Sequence, residues 1–235
     1  MAQGIPAIIP ARSGSTLKDK NIRPLLRRPL MAWAIKAAKQ SRMVDRVIVS
    51  TDSEKYAEIA RKYGAEVPFL RPAPLAEDVP TEDVIIHAVN ELDVRGHYYT
   101  RIAVTIQCTT PLLTPSDIDA CVAKCMRDDA DSAMTVTEVT EFPHWMFTIN
   151  RDELLFPFLD VPLKGDWGVR QTLPKLYRPN GAVYATRKDA LVTKRRIIGD
   201  HCYPVFMPRW RSLDIDTEED FELVEAVLRR GLHRR

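Results

Sequence analysis

The sequence predicts an α/β fold: a mostly parallel sheet with helices on both faces, of the Rossmann-like type. Three observations carry this reading. Short apolar runs rich in Ile, Val and Ala alternate with segments of helical period along the first 140 residues. A polar loop follows each run, so the chain repeats strand, loop and helix, the order that builds parallel sheets through crossovers. Two later helices also carry their own start signals, "TPSD" (114–117) and "TEED" (217–220).

Taken in order, "PAIIP" (6–10) reads as a buried strand, and a basic loop (11–25) leads into the helical "LMAWAIKAAKQS" (30–41). "DRVIVST" (45–51) is the second strand; Ser53 is placed to cap the helix "EKYAEIARKYG" (54–64), and Gly64 ends it. After the extended "EVPFL" (66–70), "TEDVIIHAVNEL" (81–92) is helical, with Thr81 as its expected N-cap. "RIAVTIQ" (101–107) is a strand. Thr114 caps the next helix, with Pro115 at its first position and Asp117 three residues after the cap. "DSAMTVTEV" (131–139) follows as a strand.

Between about 142 and 178 the pattern breaks, and Phe142, Trp145, Met146, Phe147, Phe156, Phe158 and Trp167 recur with little period. The sheet faces are already claimed by helices, so these groups need another surface. A hairpin-like dimerisation arm is the preferred reading, which predicts a homodimer; a lid of the same subunit is the alternative. The chain then returns to the sheet with "GAVYATR" (181–187) and "CYPVFMP" (202–208), and closes with a helix (218–231) capped by Thr217. The whole, 1–235, reads as one domain with an arm.

Composition narrows the function. Apolar residues at 45% and charged residues at 28% are those of a globular protein, and a net charge of +2 supplies no bulk field for nucleic acid. No apolar run has membrane-spanning length, and the start lacks a signal-peptide layout, so a cytoplasmic location away from membranes is expected. Cys108, Cys121, Cys125 and Cys202 form no CxxC pair and read as buried free thiols, and no His pair has zinc-ligand spacing.

Strand carboxyl ends gather the ligand-binding loops in such folds, which puts the opening loop, "STDS" (50–53) and "QCTTPL" (107–112) on one rim. The opening loop is neither a Walker A motif nor GxGxxG. Small Ser13, Gly14 and Ser15 still let backbone N–H groups approach phosphate oxygens, Arg12 can grip an oxygen pair, and Lys20 offers a compact charge. Asp214 and Asp216, two apart in an extended "LDID", point to the same side. Two such carboxylates suit Mg²⁺ shared with substrate phosphates. Basic loop and acidic pair together point to Mg²⁺-dependent phosphoryl or nucleotidyl transfer. Arg71, Gln107, Arg178 and Asn180 are candidate specificity groups in the remaining rim loops.

Five stretches then match a known family in order and spacing: "IPARSGS…KDKNIRPL", "VIVSTDSEKYAEIARKYGAEVPFLRP", "QCTTPL", "YRPNGAVY" and "SLDIDTEEDFELVE". Over nearly its whole length the chain resembles the CMP-sialic acid synthetases, the N-acylneuraminate cytidylyltransferases. The resemblance implies a nucleotidyltransferase fold with a dimerisation arm, and coupling of CTP to a sialic-acid-like 3-deoxy-2-keto acid for surface polysaccharide. It implies Arg12, Lys20 and Asp216 as catalytic, and Asp214 and Asp216 as Mg²⁺ ligands. Ala11, Arg12, Ser13, Gly14, Ser15, Lys20, Asn21, Arg71 and Thr81 would surround the nucleotide; Gln107, Arg170, Arg178, Asn180 and Tyr184 would line the acid. Arg170, inside the arm, would reach a neighbouring subunit's site. The chain departs from the family at Ser15-Thr16-Leu17, a shorter loop without the usual lysine, and at "QCTTPL" and "DVPT" (78–81). The alternatives are another acid acceptor (Kdo or a phosphonate) and a non-catalytic nucleotide-binding homologue.

Overall fold

The computed structural model describes residues 3–14, 17–96, 98–160 and 168–231. Along the chain come strands β1 (Pro6–Pro10), β2 (Arg46–Ser50), β3 (Ile102–Ile106) and β4 (Ser132–Glu138), then β5 (Phe147–Ile149) and β6 (Leu155–Pro157), and last β7 (Tyr177–Arg187) and β8 (Cys202–Phe206). Six of them form one sheet in the order β8-β4-β7-β3-β1-β2. Within it only β7 runs against its neighbours; the pairs β1/β2, β1/β3 and β4/β8 are parallel. The mostly parallel α/β sheet expected from the sequence is therefore present, with one reversed strand inside it.

Side chains alternate across the sheet as the strand period of two requires. Ala7 and Ile9 of β1 and Val47 and Val49 of β2 bury on one face, with Leu30 and Ile35 of α1 (Leu30–Gln40), Ile118 and Val122 of α4 (Pro115–Cys125), and Phe221 and Val224 of α6 (Glu218–Arg229). Ile8 and Ile48 bury on the other, with Ile85, Val89 and Leu92 of α3 (Thr81–Gly96) and Leu191 of α5 (Lys188–Thr193). Each fully buried large aliphatic side chain contributes about 1.5–3 kcal/mol. Two-sided burial is what the near-continuous apolar runs of β1 and β2 reflect.

Local signals were mostly obeyed. Thr114–Asp117 and Thr217–Asp220 form reciprocal capping boxes, and Gly64, at φ 88°, closes α2 (Glu54–Lys62) in the left-handed region. Two expectations differ. Ser53 stands at the N-cap of α2, but its side chain makes no capping bond. Thr81 is the first helical residue of α3 rather than its cap, because Pro80 precedes it and supplies the carbonyl that receives Asp83 N–H. That frees the Thr81 hydroxyl for the cleft described below.

The region read as an arm contains the antiparallel β5–β6 ladder, which exposes Ile149, Leu154, Leu155 and Phe158. Phe142 is instead buried and packs edge-on against Trp145, with ring centroids 5.2 Å apart. Trp167, Ser15 and Thr16 lie outside the described residues. Cys108, Cys121 and Cys125 are buried free thiols and Cys202 is half-buried. No described helix is long and apolar enough to cross a membrane.

Candidate active site

Because the parallel strands end on one edge and β7 begins there, the rim collects the segments after β1, β2, β3 and β8 with the start of β7. They enclose a cleft of about 370 Å³ whose walls include Arg12, Lys20, Asn21, Arg71, Thr81, Gln107 and Asp216. Seven residues chosen from five separate stretches of sequence thus meet around one space.

The basic loop is held by bonds the sequence did not announce. Ala11 N–H donates to the Ser50 carbonyl at 2.9 Å, and Asn21 Nδ2 donates to the Arg12 carbonyl at 3.0 Å. Ser13 donates its backbone N–H (2.8 Å) and its hydroxyl to the Asp52 carboxylate. Burial pushes the Asp52 pKa up, but the Ser13 bonds and the charge of Arg71 more than offset it and leave it below the usual value. Gly14 is exposed, with open space where a side chain would stand. Ser15 is outside the described residues.

Further along, Asp19 adopts φ 55°, and its carboxylate accepts from Tyr56 Oη (3.1 Å) and Lys55 Nζ (3.2 Å). This pins the turn that sends Lys20 inward. Lys20 is 8% exposed, and its Nζ donates to the Ile215 carbonyl at 2.9 Å and to Asp216 Oδ1 at 3.1 Å. Of the loop's other cations, Arg23 pairs with Glu218 over the Phe221 ring, and Lys18 is exposed.

The two aspartates differ. Asp216 is exposed and paired with Lys20. Asp214 is half-buried; burial first, and the neighbouring Asp216 charge, raise its pKa, against Thr109 and Lys20. Its Oδ1 is a buried oxygen with no hydrogen-bond partner. An orphaned carboxylate oxygen beside a second carboxylate is a donor set that suits a hard cation, since the like charges otherwise repel. Among the described residues no group of three or more His, Cys, Asp and Glu side chains gathers as a metal cage.

Arg71 is 5% exposed; its guanidinium donates to the Ser50 carbonyl (2.6 Å), Ser50 Oγ (3.3 Å) and the Leu75 carbonyl (3.3 Å). Burial brings its pKa down to about 10, so it stays cationic near neutrality. Arg12 reaches the fully solvated Asp78 at 3.1 Å. A second cavity, of about 450 Å³, shares Thr81 and Gln107 with the first and adds Glu82, Tyr184, Arg196, Ile197 and Ile198. Gln107 and Tyr184 therefore line one cavity.

Arg170, Arg178 and Asn180 are not brought to this cleft. Arg170 is exposed and lines a different depression with Tyr177 and Arg209; Arg178 is exposed with Nη1 on the Pro179 carbonyl; Asn180 is buried. Conversely, sequence reasoning passed over Asp52, Asp78, Cys108 and Thr109. Asp52 and Cys108 lay in stretches already assigned to the rim, so a polar residue just past a strand end was the available signal.

A cationic loop facing a carboxylate pair at the carboxyl edge of such a sheet is the layout of a nucleotidyltransferase. The chain belongs to the cytidylyltransferase family, whose model matches residues 6–227. It is 32% identical over 230 residues to the CMP-N,N'-diacetyllegionaminic acid synthase of Legionella pneumophila, covering 95% of this chain and 96% of that one. It is 30% identical over 223 residues to the pseudaminic acid cytidylyltransferase of Campylobacter jejuni, covering 94% of each. With the N-acylneuraminate cytidylyltransferase of Escherichia coli it shares 34% identity over 233 residues, which is 97% of this chain and 52% of the longer relative. In fold it resembles CMP:2-keto-3-deoxy-manno-octonic acid synthetase solved with CTP, at a TM-score of 0.72 and 17% identity, covering 97% and 100% of the chains.

Proposed function

We propose that this nucleotidyltransferase joins CTP to a sialic-acid-like 3-deoxy-2-keto sugar acid, giving the CMP-sugar and pyrophosphate. The observation that supports this most is the Lys20–Asp216 contact at a cleft that continues, through Thr81 and Gln107, into a second cavity. The nucleotide suits the first space, where Arg12, Asn21 and Arg71 offer donors, and the acid suits the second, against Gln107 and Tyr184. Relatives of about this length carry names of enzymes for pseudaminic and legionaminic acids, and the chain's acceptor is assigned to that class.

In the reaction the acid's anomeric hydroxyl attacks the α-phosphorus, the new P–O bond forms, and the bond to pyrophosphate breaks. Lys20 holds a positive charge over the phosphate oxygens where negative charge grows. Asp216, exposed beside it, accepts the hydroxyl proton. Arg12 exchanges the solvated Asp78 for phosphate, because an exposed ion pair of this kind is worth only about 0–1 kcal/mol. Asp214 and Asp216 would hold Mg²⁺, which when bound neutralises phosphate charge. The exposed β5–β6 ladder is assigned to a homodimer, the compartment to the cytoplasm and the pathway to surface polysaccharide.

Pyrophosphate release tests the assignment with each of the four nucleoside triphosphates against a panel of acids. Release is expected with CTP and an acylamino nine-carbon acid. Release only with another triphosphate, or with no acid of this class, would overturn it.

A further inference from the structure

Asn180 belongs, by the sequence, among the substrate contacts, yet it is 1% exposed and fully occupied. Its Oδ1 accepts from Thr135 Oγ1 (2.6 Å) and from Ala182 N–H (3.2 Å). Its Nδ2 donates to Ser212 Oγ (2.9 Å) and meets Met207 Sδ at 3.2 Å. A carboxamide has two donor hydrogens and two acceptor lone pairs, so none remains for a ligand.

The cause lies in the sheet. Opposite β4, β7 pairs Pro179 with Val136 and Tyr184 with Met134, so four residues of β7 (180–183) face the single Thr135. Thr135 Oγ1 fills the gap, accepting from Val183 N–H at 3.0 Å while donating to Asn180. Bulges of this kind re-aim side chains next to active sites. Here Asn180 turns inward to grip Ser212, two residues before Asp214. Ser212 Oγ donates onward to the Pro208 carbonyl at 3.1 Å, and Ile215 N–H donates to the Thr109 carbonyl at 2.9 Å. The next residue, Gly181, has φ 76°, and a Cβ there would stand 3.1 Å from Gln107 Oε1 and 3.6 Å from Asp214 Oδ2. One irregularity therefore fixes the anchor of the aspartate segment and leaves room for Gln107 and Asp214 to close over it.

We infer that Asn180 is a positioning residue: through Ser212 it sets the Ser212–Asp216 segment opposite Lys20, and it touches neither acid nor nucleotide. This rests on the reading of Asp214 and Asp216 as the reaction's carboxylates. Asn180→Ala and Ser212→Ala break the same link from its two sides. Each is expected to lower kcat by about 10- to 100-fold, the scale of a misplaced catalytic group, with the KM for the acid changed less than about twofold. The double variant is expected to be no worse than the poorer single one, since both remove one interaction. Binding of Mn²⁺ with CTP, followed by electron paramagnetic resonance without acid, is expected to weaken several-fold in both. Ser212→Ala deletes one oxygen and keeps the test open if Asn180→Ala fails to fold. A raised acid KM with unchanged kcat and Mn²⁺ affinity would make Asn180 a substrate contact and overturn the inference. A lowered melting temperature with kcat and Mn²⁺ affinity intact would also overturn it. Asp214→Asn runs alongside: if it binds Mn²⁺ as the unaltered protein does, the metal assignment falls, and the kcat effect of Ser212→Ala alone decides the positioning role.

Discussion

Lys20 Nζ lies 3.1 Å from Asp216 Oδ1 although 196 positions separate the two residues. This contact joins the opening loop to the segment before the last helix. Lys20 is nearly buried, so its charge is held in place rather than free to follow solvent. A charge fixed where negative charge develops acts more on the transition state than on substrate binding. Lys20→Ala is expected to lower kcat by about 10²–10³-fold and to raise the KM for CTP far less, measured by continuous pyrophosphate release. An unchanged kcat with weaker CTP binding would make Lys20 an anchor only.

Asp52 ties the loop to the end of β2 through Ser13, and the sign of its pKa shift sets a pH dependence. Its folded value lies below the ordinary 3.8, so its contribution is present above that value and lost as pH falls through the folded one. Asp52→Asn is therefore expected to lower the melting temperature at pH 7, and the gap from the unaltered protein is expected to close on acidification below about pH 4. Calorimetric scans across pH 3 to 8 check it; a gap that widens towards acid contradicts it.

Glu82 and Arg196, the latter exposed and paired with Asp200 at 2.9 Å, bring opposite charges to the lining of the second cavity, which also includes Ile197 and Ile198. An acylamino group suits such a wall: its N–H can donate to Glu82, its carbonyl can accept from Arg196, and its methyl can cover the isoleucines. Arg196→Ala is expected to raise the KM for an acylamino acid by about tenfold, the scale of one lost charge-assisted hydrogen bond, with the KM for CTP unchanged. Equal loss towards an acid that bears only hydroxyls would show that Arg196 does not read the acyl group.

Ile149, Leu155 and Phe158 are 70%, 62% and 61% exposed on and beside the β5–β6 ladder. Leaving them in water forgoes about 25 cal/mol for each Å² that a partner could cover. Sedimentation velocity is expected to find a dimer, and Leu155→Arg with Phe158→Glu is expected to give a monomer of lowered activity. An unaltered protein that sediments as a fully active monomer contradicts the arm. Arg170 stands apart from its own subunit's cleft, which fits a contribution across such an interface.

The parts of this molecule legible in the sequence were those governed by short-range chemistry. Two-sided burial of β1 shows in "PAIIP", and the Thr114 and Thr217 boxes close within four residues. Thr81 misled because Pro80 already ended the preceding loop. What escaped was set by contacts distant in sequence. Asp52 matters because β1 and β2 end side by side, which brings it to Ser13 across 39 positions. Asn180 reads from the sequence as a candidate specificity group in a polar rim loop; only the bulge against Thr135 shows its side chain turned inward and hydrogen-bonded. The sequence offers the aspartate pair as a candidate cation site, but it does not show the asymmetry between an orphaned, half-buried Asp214 and an exposed Asp216 held by Lys20.

In the proposed reaction the acid's anomeric oxygen becomes the bridge to the α-phosphorus of CTP. An acylamino nine-carbon acid labelled with ¹⁸O at its anomeric hydroxyl, incubated with CTP, Mg²⁺ and the protein, tests it directly by ³¹P nuclear magnetic resonance. An isotope shift is expected on the phosphorus of the CMP-sugar and none on pyrophosphate, with formation of both products lost in Asp216→Asn. Label recovered in pyrophosphate or orthophosphate, or a CMP-sugar without the shift, would contradict it.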